Sequence, residues 1–139
     1  MLVRPYTDGD HAALSKLYLA SRVQTFYWLD TSAYKAEDFD RDTLGEKVLV
    51  AEEEGEIMGF ISLWVPDNFI HHLYVDPGCV NQGVGKLLLQ AACAGFDLPL
   101  KLKCLEKNIN ACNFYLSQGW RILYKQADAG GDYYLMESK

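Results

Sequence analysis

The stretch Leu73-Tyr74-Val75-Asp76-Pro77-Gly78-Cys79-Val80-Asn81-Gln82-Gly83-Val84-Gly85-Lys86-Leu87-Leu88-Leu89 decides the fold of this chain. Aromatic and β-branched residues run up to Val75 as the end of a strand. Asp76-Pro77-Gly78 stops that strand, and a helix opens at about residue 84. Gly83 and Gly85 remove side chains where the backbone enters the helix. Amides at a helix N-terminus lack partners within the helix and carry partial positive charge. They suit a pyrophosphate, and the glycines let it approach the backbone. The pattern is neither G-x-G-x-x-G, since position 88 is Leu, nor a P-loop, since no Lys-Ser/Thr follows.

Upstream, residues 2–5 form a short strand and residues 9–23 a helix with Asp8 as its N-cap and Ala13, Leu14, Leu17 and Tyr18 on one face. Residues 24–45 hold an aromatic loop and a second helix. Residues 47–52 and 57–65 are strands joined at Glu54-Gly55-Glu56, and residues 69–75 are the strand that enters the glycine turn. Downstream come a helix over 84–94, a strand over 100–105, a helix over 110–118 stopped by Gly119, and a closing hairpin over 120–125 and 133–136. The order β-α-α-β-β-β-α-β-α-β-β predicts a mixed sheet with helices on its faces rather than a doubly wound one. With no repeat or linker, residues 1–139 are expected to form one domain.

Half of the residues are hydrophobic and the formal net charge is −6, which suits a globular chain and disfavours nucleic acid as a partner. No signal peptide and no spanning segment of roughly 20 apolar residues is visible, so no membrane partner is expected. The four cysteines make no C-x-x-C pair, which points to free thiols in a reducing compartment and hence the cytoplasm. Neither cysteines nor histidines have metal-ligand spacing, so no metal is expected.

The glycine turn resembles a motif of the GNAT superfamily of N-acetyltransferases, in which a strand ending near V-x-P precedes Q/R-x-x-G-x-G/A. Val75-Asp76-Pro77 and Gly83-Val84-Gly85 match, and Val80 stands where the family usually has Gln or Arg. A second segment, Asn108 to Trp120, resembles the family's N-x-x-A-x-x-F/L-Y-x-x-x-G-F through Asn108, Ala111, Phe114, Tyr115 and Gly119, with Trp120 in place of Phe. The resemblance implies an α/β (α+β) fold with a mostly antiparallel sheet of about seven strands flanked by about four helices. It implies acetyl-coenzyme A as co-substrate and a primary amine as acceptor, attacked directly in a ternary complex. The cofactor contacts it implies are Leu73, Tyr74, Val75, Val80, Gln82, Gly83, Val84, Gly85, Lys86, Asn108 and Tyr115. Val75 would bond the pantetheine arm through its backbone, and amides over 82–86 would hold the pyrophosphate. A non-catalytic acetyl-coenzyme A binding module is the alternative.

Acetyl transfer to an amine needs a base for an acceptor that is protonated at neutral pH, a donor for the oxyanion and an acid for the thiolate. Phe69-Ile70-His71-His72-Leu73 carries two of the three histidines on one strand. Strand alternation sends neighbours to opposite faces, so one of the pair should face the acceptor unless a bulge intervenes. By resemblance the base is His71 and the acid Tyr115, with an amide from residues 73–75 on the thioester carbonyl. Loops are expected to set specificity, with Tyr27, Trp28, Tyr34, His71 and Tyr133 forming an aromatic and acidic acceptor pocket with Asp30 and Asp132. Small amines, a peptide N-terminus and a lysine side chain remain open as acceptors, as do monomer and homodimer.

Overall fold

The computed structural model describes residues 1–138. The elements are β1 (Leu2–Pro5), α1 (His11–Thr25), α2 (Asp38–Asp42), β2 (Lys47–Glu53), β3 (Glu56–Trp64), β4 (Phe69–Val75), α3 (Val84–Gly95), β5 (Lys101–Leu105), α4 (Ile109–Ser117), β6 (Arg121–Gln126) and β7 (Tyr133–Glu137). They follow the predicted order. A seven-stranded sheet runs β1-β2-β3-β4-β5-β7-β6, antiparallel except between β4 and β5. The closing hairpin folds back so that its second strand, β7, pairs with β5 and leaves β6 at the edge.

Two helices cover each face. Leu14, Leu17 and Tyr18 of α1 and Phe39 of α2 pack on Val50 and Phe60. On the other face Val84, Leu88 and Leu89 of α3 and Cys112 and Tyr115 of α4 pack on Ile61, Leu63, Ile70, Leu102 and Met136. β3 is buried on both sides, which is why its sequence is a nearly continuous apolar run rather than an alternating one. A Cβ on Gly59 in this strand would lie 2.7 Å from the Tyr74 carbonyl oxygen, 3.1 Å from Val84 and 3.3 Å from Leu88. The glycine therefore sets how closely α3 lies on the sheet, and with it the position of the α3 N-terminus.

Two sequence expectations change. Asp8 does not cap α1. Thr7 precedes a 3-10 turn over Asp8–Asp10, and the buried Asp10 accepts from the Thr7 backbone amide at 2.8 Å and from Arg4 at 2.8 Å. The charged Arg4 guanidinium holds the Asp10 carboxyl well below its usual pKa, at about 2. The second helix over 24–45 is only the five residues Asp38–Asp42. The remainder is turns, because its aromatic side chains pack individually instead of forming a helical stripe.

Gly59→Ala is expected to destabilise the fold by about 1–3 kcal/mol through overpacking. Gly95→Ala, whose Cβ meets nothing within 4 Å, should be neutral or slightly stabilising. Urea unfolding of the two variants measures the difference.

Candidate active site

β4 pairs with β5 only through Phe69↔Lys101 and Ile70↔Leu102, and beyond Ile70 the two strands part. The β3–β4 register slips at the same place, with Ser62 opposite His72 and Leu63 opposite Ile70, so His71 is an unpaired bulge residue. Past the bulge, the Asp76 amide donates to the Met58 carbonyl at 2.8 Å. In an antiparallel ladder alternate residues bond to the same neighbour. His72 and Tyr74 therefore turn their backbone groups toward β3, opposite Ser62 and Phe60, while Leu73 and Val75 turn theirs into the gap. The Ser21 hydroxyl donates to the Val75 carbonyl at 3.0 Å. The Leu73 amide and carbonyl and the Val75 amide thus face the space that β5 has left.

On the α3/α4 side this gap opens into a groove of about 500 Å³, lined by Leu73, Val75, Val80, Gly83, Gly85 and Phe114 among others. Gly83 sits at φ 81° as the N-cap of α3. The first amide to find a helical carbonyl is that of Leu87, bonded to Gly83 at 3.1 Å. The amides of Gly83, Val84, Gly85 and Lys86 are the ones without a carbonyl of their own helix. A Cβ on Gly85 would lie 3.5 Å from the Phe114 ring and 3.8 Å from Val75. This amide cradle with a glycine floor fits a pyrophosphate followed by an extended arm along β4. Val80 is exposed at its rim, and Gln82 is exposed without lining it. Tyr74 spends its backbone on β3 and its ring on the α1 core, so it offers the groove nothing.

On the α1/α2 side lies a smaller cavity of about 180 Å³, lined by Phe26, His71, His72, Lys103, Asn108 and Tyr115 among others. It shares Leu73, Ala111 and Tyr115 with the groove. The two openings thus share a wall at these three residues. Tyr115 is 8% exposed and packs at a tilt against Trp120, ring centroids 5.8 Å apart. Burial raises its phenol above the usual pKa, keeping it a hydrogen-bond donor at neutral pH.

The bulge cancels the expected opposition of the two histidines, since both line the small cavity. They are not equivalent there. His72, its side chain 18% exposed, has Nε2 at 3.2 Å from the Asp42 carbonyl, which can only accept. Burial holds its imidazole below the ordinary pKa and neutral. His71 is more open to the cavity and contacts the carboxylate of Glu46 through Nδ1. Glu46, in the turn before β2, has no motif around it and is visible only in three dimensions. Asn108 caps α4, its side-chain oxygen accepting from the Ala111 amide at 3.4 Å.

The aromatic acceptor pocket does not assemble as expected. Tyr27 is 80% exposed, and Trp28 stacks edgewise on Phe26 and Tyr27 without lining either cavity. The Tyr34 ring lies 4.3 Å from the buried Arg22 guanidinium, which Tyr18 covers at 4.0 Å from the other side. The cation of this site is therefore internal, paired with Asp38 at 3.1 Å. Tyr133 lies 4.8 Å under the Lys103 ammonium, Asp30 bonds the Ser32 amide and Asp132 faces Lys125. Phe26 and Lys103, which sequence patterning did not single out, take the places at the cavity wall.

The Cys104 and Cys112 sulfurs lie 3.0 Å apart, Cys104 at the cavity wall, and burial keeps the Cys104 thiol protonated. Among the described residues no cluster of three His, Cys, Asp or Glu side chains is arranged for a metal, and no helix is long and apolar enough to cross a membrane.

A split sheet with an amide cradle on one side and a titratable cavity on the other defines an acyl-transfer type of fold, and the chain belongs to the acetyltransferase (GNAT) family, which matches residues 5–120. It is 36% identical over 74 residues to the peptidyl-lysine N-acetyltransferase YiaC of Escherichia coli, a match covering 53% of this chain and 49% of that one. The match thus spans about half the length of that relative. A GCN5-related N-acetyltransferase of Rhodopseudomonas palustris superposes with a TM-score of 0.76 at 27% identity, covering 99% of this chain and 94% of the other. The PaiA N-acetyltransferase of Thermoplasma acidophilum, solved with coenzyme A, has the same fold, with a TM-score of 0.79 at 22% identity over 99% of this chain and 98% of its own.

Asn108→Ala is expected to lower stability by about 1 kcal/mol through loss of the α4 cap, and Asn108→Ser to restore most of it. Urea melts of the pair test the capping role.

Proposed function

We propose that this protein is an N-acetyltransferase that carries the acetyl group of acetyl-coenzyme A to a primary amine by direct attack in a ternary complex. The observation that carries the proposal is that the groove and the cavity are both lined by Leu73, Ala111 and Tyr115. Two substrates entering from opposite faces of the sheet would touch only there, which is the proximity a direct transfer requires. The similarity to a peptidyl-lysine N-acetyltransferase places a lysine side chain among the acceptors to test first.

Acetyl-coenzyme A supplies an activated acyl group. The chain's own part is to hold and polarise it. The Gly83, Val84, Gly85 and Lys86 amides take the pyrophosphate, and the free backbone edge of Leu73 and Val75 takes the pantetheine arm. The Leu73 amide points into the gap and bonds the thioester carbonyl, where charge develops during attack. The amine arrives protonated, and His71 removes its proton at the cavity wall. Tyr115 donates to the departing sulfur. Since its phenol lies above the usual value near 10 and a thiol lies near 8.5, complete proton transfer to the thiolate is uphill. Tyr115 stabilises the thiolate by a hydrogen bond, and solvent completes the protonation.

Calorimetry of Gly85→Val should show acetyl-coenzyme A binding weakened by at least about tenfold, because the γ-methyls enter the groove. Lys86→Ala should change it little. Wild-type affinity in a folded Gly85→Val protein would remove the groove as the cofactor site.

An amine panel containing polyamines, peptide N-termini and lysine peptides, followed by thiol release and mass spectrometry, tests the activity itself. With the amine so found, Tyr115→Phe should retain cofactor affinity and lose roughly a hundredfold in turnover. His71→Ala should lose most near neutrality and recover partly at high pH, where free amine is plentiful. Thiol release from no amine by a protein that binds acetyl-coenzyme A would favour a binding module instead.

A further inference from the structure

Glu46 is an acidic side chain with only 2% of its surface exposed. Two anchors hold the turn that carries it. The Glu46 amide bonds the Thr43 carbonyl at 3.0 Å. Gly45 sits at φ 78° with the Trp64 ring 3.2 Å from where its Cβ would be. A buried carboxylate is tolerated when it is paired and hydrogen-bonded. Here one oxygen meets Nδ1 of His71, while Oε1 is buried without a hydrogen-bond partner, 3.9 Å from Nε2 of His72. The Nε2 proton of His72 is directed to the Asp42 carbonyl instead. Glu46 lies behind His71 and not on the wall of the acceptor cavity.

We infer that Glu46 is a positioning residue that keeps the His71 proton on Nδ1 and so presents a bare Nε2 to the acceptor amine. The inference rests on the proposed acetyltransferase reading and deepens it. An ionised carboxylate can only accept, so the His71 nitrogen facing it must donate. The other ring nitrogen then has its lone pair free. When Nε2 takes a proton from the ammonium, the amine regains its lone pair and the imidazole becomes an imidazolium. Glu46 keeps its charge throughout and takes no proton. The buried carboxylate offsets the positive charge that forms beside it, as an acid oriented behind a histidine does in hydrolytic triads. Asp67 and Lys103 line the outer approach to His71, with opposite charges. His72 and, beyond it, Asp42 close the inner side.

Long-range proton–nitrogen spectra of the ¹⁵N-labelled protein without ligands, with His71→Gln to assign the signals, read the tautomer directly. His71 is expected as the Nδ1–H form. In Glu46→Ala the ring should shift toward the Nε2–H form, and kcat should fall by at least about tenfold with KM for the amine changed by less than about twofold. Glu46→Gln, which preserves volume and whose carbonyl still accepts from Nδ1, should keep the tautomer and more of the turnover. An Nε2–H tautomer in the wild type, or an unchanged tautomer in Glu46→Ala, would overturn the inference. Since the spectra need neither co-substrate nor amine, they stand even if the amine panel shows no transfer. Transfer by a protein whose His71 is Nε2–H would sink the Glu46 role alone.

Discussion

The proposed site depends on β4 leaving β5 after two residue pairs. A sheet interior normally satisfies every backbone group with a neighbouring strand, and unpaired buried amides and carbonyls are costly. Here the break is built in by the bulge at His71, which bends β4 and resets which residues turn toward β3. Leu73 and Val75 are left with backbone groups aimed at open space. The same divergence opens a gap within the sheet, with Leu73, Ala111 and Tyr115 lining a cavity on each side of it.

The faces on either side of that gap differ in chemistry. The α3/α4 face is apolar apart from the helix N-terminus, so it offers oriented amides in a groove with no buried ion to compete with an anion. The α1/α2 face gathers charged groups. Arg22 is clasped by Tyr18, Tyr34 and Asp38, and Arg4 ties Asp10 to Glu52. These pairs are internal to the scaffold, so Asp10, Asp38 and Glu52 serve buried or half-buried cations and do not mark a substrate. What reaches the acceptor cavity is narrower: two histidines, a lysine and the phenol of Tyr115, with Glu46 behind them. Gly59 links the faces mechanically, because its missing Cβ lets α3 rest against the strand next to β4.

Local order and composition were enough to place the elements and the amide cradle. Strand and helix periodicity, the Asp76-Pro77-Gly78 stop and the two glycines all act through neighbours in the chain, and the structure keeps each of them. The cap of α4 at Asn108 is likewise local. The departures fall where side chains meet partners far away in sequence. Tyr34 covers Arg22 instead of lining an acceptor pocket. Tyr27 and Trp28 line neither cavity, and Phe26 stands at the wall. His72 shares a cavity with His71 because one bulge residue cancels the strand's period of two.

The sequence by itself therefore determined the kind of fold and the helix N-terminus whose free amides fit a pyrophosphate. Only the tertiary structure decided that groove and cavity share Leu73, Ala111 and Tyr115 as lining, that both histidines share one cavity, and that Glu46 stands behind His71. The physical reason is range. Backbone propensity and capping are settled within a few residues, whereas Glu46 and His71 come together only because β2, β3 and β4 pair in register and the bulge turns the histidine toward the α2–β2 turn.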